Sequence, residues 1–449
     1  MVNFSRRLGL VEELYETLHS MGAEIYVNIA SIQGRLSLDV LKAAIDLLQK
    51  RHPLLQVHLQ KSDDGFYFCA DGTLAIPLRT IDRQQEQQWL EIAEDEMLQK
   101  FSGEFEPLCR ITLLQTSEQL GSNELIVTFH HAIADGISVL HLMHDLLSYY
   151  QQLVEGIPIA PIDTLPMLPP LDRLLETCLS EADAADRTQV TPKPTSPSPI
   201  LIVEQTAPVG DRQTRLITRE FNQLLMSQLK SRCRDEQTTV HGALCAAMIL
   251  ASVKELSSEV PVLVSCGSSV NLRASCFPLV EPSHLGCFAS YVTTTHHAEQ
   301  NTHFWKLARE CQSEIYQLVS RKVPHRLASN RELIHKYQAS FLAQLAEHNM
   351  GRITTTHISN LGQFDYSKSY GSIRLESFHF AAGQNLVGTC FWLGAVTVHQ
   401  KLFCTFTYID PLLSRKTAES LADSVITFLD SAVSSPLMQS PQKSVLESI

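Results

Sequence analysis

The stretch that decides the reading is His130-His131-Ala132-Ile133-Ala134-Asp135-Gly136-Ile137-Ser138. Glu124–Phe129, just before it, is a short apolar run with strand character. Ser138–Leu153, just after it, carries Leu140, Met143, Leu147 and Tyr150 at helical spacing and stops at Gly156. Two histidines, an aspartate and a glycine therefore sit on a strand-to-helix turn, where a rigid scaffold presents side chains for use. An imidazole titrates near pH 6.5, so a neutral histidine here accepts and returns a proton under ordinary conditions. Asp135 is placed to hold the loop by pairing with an arginine from elsewhere in the chain. Gly136 lets a reacting molecule approach the backbone, and its N–H, close to a helix start, suits a developing oxyanion.

Outward from this turn, both halves of the chain mix strands and helices. In the first half, Tyr26–Ile32 reads as a strand. Leu38–Leu48 reads as a helix behind Ser37, with Leu38, Leu41, Ile45 and Leu48 on one face. Short strands follow near Leu55–Leu59 and Phe66–Ala70, then a helix over Gln84–Lys100 and a strand over Leu108–Leu114. The second half predicts strands at Leu216–Glu220, Val260–Ser265, Cys287–Thr294, Arg352–His357, Ile373–Phe380, Cys390–Val398 and Leu402–Tyr408. Its helices are predicted at Gln223–Arg234, Val240–Lys254 (capped by Thr239), Phe304–Arg321, Arg331–Glu347 and Lys416–Ala432. Between the halves, Pro158–Pro199 holds nine of the twenty prolines, and the run Thr191–Pro199 supports neither helix nor central strand. Pro158–Pro170 is expected to be extended and Leu171–Ala185 to be a short helix. The expected organisation is an α/β (α+β) protein of two lobes, residues 1–180 and 201–449, joined by a proline-rich linker at 181–200. Each lobe is a mixed sheet with packed helices.

Composition narrows the function. The 449 residues include 48 acidic and 36 basic side chains, a formal net charge of −12, which argues against nucleic acid as a partner. The eleven cysteines are scattered and never spaced C-x-x-C, so they read as small buried hydrophobes in a reducing compartment. Met1–Arg7 leads into Glu12 and Glu13 rather than an apolar core, and the longest apolar stretch, Ala243–Val253, is too short to span a bilayer. A cytoplasmic protein that is not integral to a membrane is expected.

Rival chemistries fare worse. His131, Asp135, His141 and His144 invite a metal, but zincin spacing is absent and no metal is expected. His296-His297 lacks the Asp-Gly and reads as a solvated strand end. Arg321–Arg326, with Arg331 beyond, reads as a solvated helix end whose cations suit the C-terminal dipole, the alternative being a basic patch that docks an anionic carrier protein or coenzyme A. There is no G-x-S-x-G, no phosphate loop and no dinucleotide fingerprint.

The H-H-x-x-x-D-G element resembles the signature of the chloramphenicol-acetyltransferase-like superfamily, which includes peptide-synthetase condensation domains and plant hydroxycinnamoyl-type acyltransferases. Arg51-His52-Pro53-Leu54-Leu55, Asn271-Leu272-Arg273, Leu285-Gly286-Cys287-Phe288 and Ser359-Asn360-Leu361-Gly362 resemble further segments of that family in the same order. The likeness is nearest to stand-alone acyltransferases that work beside polyketide synthases, of the mycobacterial dimycocerosyl transferase type, and to alcohol O-acetyltransferases. It implies a channel between two lobes, with a thioester entering from one face and an acceptor from the other. It implies His131 as general base, His130 as a supporting residue and Asp135 in a salt bridge to Arg273; the oxyanion-stabilising serine or threonine of some relatives has no clear match, Ser359 and Asn360 being the candidates as polar groups of the channel. The donor implied is an acyl-carrier protein or acyl-coenzyme A, which serves as substrate, so no cofactor is expected. The acceptor implied is a hydroxylated lipid or polyketide-type molecule. The alternatives are amide formation of the nonribosomal peptide type, and a non-catalytic relative that binds an acyl carrier or lipid. A monomer is expected. The chain departs from the plant type in lacking D-F-G-W-G, and it has Asn271 where many relatives have Asp.

Overall fold

A computed structural model describes residues 5–116, 122–179, 199–256, 260–336 and 338–435. In the first lobe, β1 (Ser5–Arg7), α1 (Leu10–Ser20), β2 (Ile25–Gln33) and α2 (Leu38–Arg51) come first. Then follow β3 (His58–Ser62), β4 (Gly65–Cys69), β5 (Leu78–Asp82), α3 (Gln88–Glu96), β6 (Cys109–Gln115), β7 (Ser122–His130) and α4 (Gly136–Glu155). The second half contributes β8 (Gln213–Phe221), β9 (Val262–Asn271), β10 (Ala289–Ala298) and β11 (Arg352–Phe364). It continues with β12 (Ser369–Tyr370), β13 (Ile373–Ala382), β14 (Gly388–Val398) and β15 (Lys401–Asp410). Two six-stranded mixed sheets result, in the orders β12-β13-β2-β7-β6-β5 and β10-β9-β11-β14-β15-β8, beside a three-stranded sheet β1-β4-β3.

α4 is long because its apolar stripe (Val139, Leu140, Leu142, Met143, Leu146, Leu147, Tyr150) is buried, Asp135 caps its start, and Gly156 ends it in the left-handed region at φ 65°. The Val240–Glu255 helix is apolar nearly all round, and every residue from Gly242 to Val253 is buried. It lies between the Phe304–Ser320 and Arg415–Ser434 helices and the second sheet. Thr239 caps it, its hydroxyl accepting from the Gly242 N–H.

The lobes do not follow the chain order in full. After β11 the chain leaves the second sheet and places β13 antiparallel to β2, with Phe378 opposite Ala30 and Ala382 opposite Tyr26, before returning as β14, parallel to β11. Residues 369–382, inside the 201–449 half, thus belong to the first sheet. Their buried side chains Tyr370, Ile373, Leu375, Phe378 and Phe380 join the first lobe's core. Sequence periodicity places a strand here but carries no information about which sheet it joins.

Several local expectations change. Of the expected 171–185 helix, the described part is helical at Leu171–Leu174 and turns over 175–179, while residues 180–198, which hold its remainder and most of the expected linker, lie outside the described residues. The 331–347 helix is two, Arg331–Lys336 and Ala339–Glu347. His325 and Arg326 are buried in a Val323–Ser329 helix rather than solvated, because that helix packs against α1, Leu171–Leu174 and β10. His296 is buried too, its Nε2 facing the Thr294 hydroxyl at 2.9 Å and the Cys311 sulfur at 3.5 Å, while His297 is exposed. Alternation along β10 puts neighbours on opposite faces. Nine cysteines are buried and all eleven are free. Among the described residues, no helix is long and apolar enough to cross a membrane.

Phe378 has no exposed surface. Phe378→Ala is expected to lower unfolding stability by about 3–5 kcal/mol in urea titration. An unchanged midpoint would mean that β13 is not seated in the first lobe.

Candidate active site

The turn after β7 is held by a carboxylate. Asp135 Oδ1 accepts from the Ser138 N–H at 2.9 Å, which caps α4, and from Arg273 Nη2 at 3.0 Å. Its Oδ2 accepts from Arg273 Nη1 at 2.8 Å and from the Phe288 N–H at 2.9 Å. Burial alone would push this carboxyl up; the Arg273 charge and these hydrogen bonds outweigh it and hold Asp135 below the usual carboxylate range. Arg273 follows β9 and Phe288 precedes β10, so the cap of a first-lobe helix is bonded to the second lobe. Ser138 adds to the junction: its hydroxyl donates to the Gly286 carbonyl at 2.9 Å and accepts from Arg273 Nη2 at 2.7 Å. The Asp135 N–H also donates to the Gly286 carbonyl at 3.2 Å, and the Arg273 guanidinium lies over the Phe288 ring at 4.9 Å. Asn271 Oδ1 accepts from the Arg273 N–H, orienting the arginine.

His131 stands at the centre. Tyr15 of α1 stacks on its ring at 4.1 Å and 13°, and Tyr26 of β2 at 5.0 Å and 22°. Two rings that close to one imidazole and not in contact with each other occupy opposite faces, so the imidazole is clamped and only its edge is free. Nδ1 is enclosed without a hydrogen bond, whereas the residue as a whole is half-buried and Nε2 is open. Burial lowers the pKa of His131; the backbone carbonyls of His131 and Ala134 and the Asp135 charge oppose this only in part. The resting ring is neutral.

His130 points the other way. Its Nδ1 accepts from the Ala132 N–H at 3.1 Å, which leaves the proton on Nε2, and Nε2 donates to Glu16 Oε2 at 2.9 Å. His19 does likewise: Nε2 accepts from the Phe101 N–H at 2.9 Å, and Nδ1 faces the same Glu16 oxygen at 3.6 Å. Burial holds His130 at about 4, hence neutral. Glu16 is pushed up by burial but held at about 2 by hydrogen bonds from the two histidines. Ligand atoms of Glu16, His19 and His130 are close enough to suggest a cation. The backbone N–H groups on the far nitrogens instead fix both imidazoles as donors to Glu16. A metal-binding histidine has the reverse arrangement, its lone pair on the metal and its other N–H donated outward. The triad is a hydrogen-bonded brace between α1 and the end of β7.

The other residues expected at the site divide. Gly136 sits under Leu361: a Cβ there would lie 2.2 Å from a Leu361 methyl and 3.1 Å from the Tyr26 hydroxyl, so the leucine side chain would have to shift. That contact also brings β11 to the turn, with half-buried Ser359 and Asn360 just before Leu361; Asn360 Oδ1 is engaged by the Gly362 N–H at 3.0 Å. His141 and His144, considered as ligands, instead hydrogen-bond Tyr366 and Tyr370 and fasten the crossing strands to α4. Tyr15, Glu16, His19 and Tyr26 lie far from the motif in sequence, and nothing in the motif singles them out. Their only trace is that Tyr15, Glu16 and His19 share one face of a helix.

Residues 18–166 match a family model described as condensation domain, and residues 218–391 match one described as phthiocerol/phthiodiolone dimycocerosyl transferase C-terminus. A phthiocerol/phthiodiolone dimycocerosyl transferase of Mycobacterium ulcerans is 28% identical over 174 residues, 38% of each chain. Its counterpart in Mycobacterium leprae is 26% identical over 294 residues, 62% of this chain and 64% of the relative. The matches thus span less than two thirds of either relative. Among solved structures, polyketide synthase associated protein 5 from Mycobacterium tuberculosis superposes with a TM-score of 0.68 at 17% identity, over 96% of this chain and 98% of that one. Trichothecene 15-O-acetyltransferase from Fusarium sporotrichioides superposes with a TM-score of 0.73 at 12% identity, over 96% and 95%. These two likenesses establish a shared two-lobed fold.

Arg273→Ala is expected to cost about 3–5 kcal/mol of stability, because it strands a buried carboxylate. Asp135→Asn in the Arg273→Ala background is expected to recover part of that loss by removing the stranded charge. Urea unfolding of the single and double variants measures both.

Proposed function

We propose that this chain, which belongs to the condensation-domain superfamily, is an O-acyltransferase that moves an acyl group from a thioester to a hydroxyl and so forms an ester. The observation that carries this reading is the His131 imidazole: neutral through burial, clamped on both faces and open at Nε2. A ring so restrained takes a proton along one direction only.

The acceptor hydroxyl approaches Nε2, and His131 removes its proton as the oxygen attacks the thioester carbonyl. The carbonyl electrons collect on oxygen in a tetrahedral intermediate, which N–H groups near Gly136 stabilise. Collapse re-forms the carbonyl and breaks the C–S bond, and His131 returns its proton to the leaving thiolate. No acyl-enzyme is formed. The donor supplies the activation in its own thioester, so no cofactor takes part. Asp135 does not relay charge; it holds the turn in shape through Arg273. His130 acts through Glu16 by fixing the strand end.

The donor is an acyl-carrier protein or acyl-coenzyme A and the acceptor a hydroxylated lipid or polyketide-type molecule, reached through a channel between the lobes. Likeness of residues 218–391 to the dimycocerosyl transferase C-terminus supports a hydroxyl acceptor over the amine of peptide-forming condensation domains. A clamped, open base has no purpose in a protein that only binds a carrier.

Replacing His131 by Ala is expected to lower alcohol-dependent thiol release about 10²–10⁴-fold in a protein that still folds. Undiminished release would contradict the assignment. Because the pKa of His131 is lowered, its basic form persists as the medium becomes acidic. The acid limb of kcat/KM is therefore expected to have its midpoint below the ordinary imidazole value of about 6.5. A midpoint at or above that value would mean that the base is another group.

A further inference from the structure

The mechanism needs a donor for the carbonyl oxygen, and the motif supplies only backbone. α4 begins at Gly136, and in its first turn the Ser138 N–H is taken by Asp135, whereas the Gly136 and Ile137 N–H groups have no partner among the described residues. By itself such a helix start is unspecific. A second group, however, is aimed at it.

Tyr26 is 4% exposed, and its hydroxyl makes no hydrogen bond within the described residues yet is not sealed from solvent. A buried phenol without a partner is uncommon, since leaving the group unsatisfied carries a desolvation penalty. The hydroxyl lies 3.1 Å from where a Gly136 Cβ would be, directly over the first residue of α4. The same ring is stacked on His131. The phenol therefore cannot swing away without leaving the imidazole. It is also fixed from below: β2 is a central strand, with Tyr26 opposite Phe129 of β7 on one side and Ala382 of β13 on the other.

We infer that the Tyr26 hydroxyl and the Gly136 N–H together receive the oxygen of the reacting carbonyl, with Tyr26 as the side-chain donor of the oxyanion site. The inference rests on the acyl-transfer reading and deepens it. Tyr26 donates a hydrogen bond that shortens as charge builds on the carbonyl oxygen, and keeps its proton throughout. Burial, with Asp135 nearby, pushes the phenol well above its ordinary range, so it stays a donor across the working pH. The absence of a Gly136 side chain is then part of the site: a methyl group there would fill the space between the two donors.

Tyr26→Phe keeps the stacked ring and removes only the hydroxyl. It is expected to lower kcat about 10²-fold, with KM for both substrates and the acid limb of the pH profile unmoved. A tyrosine that serves only through its stacked ring would instead leave kcat unchanged in this variant, because phenylalanine keeps that ring on His131. A second readout needs no turnover. Octanoyl-coenzyme A labelled with carbon-13 at its carbonyl is bound to the His131→Ala variant and to the His131→Ala, Tyr26→Phe double variant, and the carbonyl stretch is recorded in each. The stretch is expected at lower frequency when the hydroxyl is present. A kcat for Tyr26→Phe within about threefold of wild type, or equal frequencies in the two variants, overturns the assignment. Transfer that survives His131→Ala overturns the base assignment instead, and the frequency difference then judges Tyr26 alone.

Discussion

A carboxylate buried between two lobes stays charged only if the second lobe brings it partners, and that constraint organises this molecule. Asp135 accepts four hydrogen bonds, one from its own helix and three from the segment between β9 and β10. Removing any one partner leaves a buried charge under-satisfied, so the geometry of the turn depends on how the lobes dock. The ion pair need not add net stability over a well-packed apolar replacement. Its consequence is registry: the loop carrying His131 has one shape when Arg273 and the Gly286–Phe288 backbone are in place.

The imidazole is then tuned without direct contact with that carboxylate. Its rigidity comes from Tyr15 and Tyr26, its neutrality from burial, and its position from the strand end that Glu16 grips through His130. This division separates the group that moves a proton from the groups that hold it still. Crossing strands reinforce the arrangement. β13 seats next to β2, the strand that carries Tyr26, while β11 delivers Leu361 onto Gly136. A shift between the lobes would therefore be felt at the base from both sides.

Much of this is legible in the sequence, in proportion to how local its cause is. The strand end at His130, the helix running to Gly156, and the Thr239 cap follow from spacing and capping chemistry within one or two turns. The Asp135–Arg273 pair, 138 residues apart, follows from family resemblance and not from spacing; here it is a bidentate bond. What stays hidden depends on tertiary placement. Tyr26 lies on a predicted strand, but nothing local indicates that its ring meets His131. His296 and Arg326 look solvated from their neighbours and are buried by tertiary packing, His296 under the helix that follows its strand and Arg326 against α1 and Leu171–Leu174. The transfer of residues 369–382 to the first sheet has no signature in periodicity, because a buried strand reads the same in either sheet.

Direct transfer is the central step: the acyl group passes from sulfur to the acceptor oxygen without resting on the protein. Intact-mass spectrometry of the enzyme, mixed with acyl-coenzyme A or acyl-carrier donors with and without a long-chain alcohol, tests this most directly. The prediction is thiol release that requires the alcohol, an ester of matching mass, and an enzyme mass that never rises by an acyl group. An acylated enzyme on the pathway, discharged when alcohol is added, would contradict it.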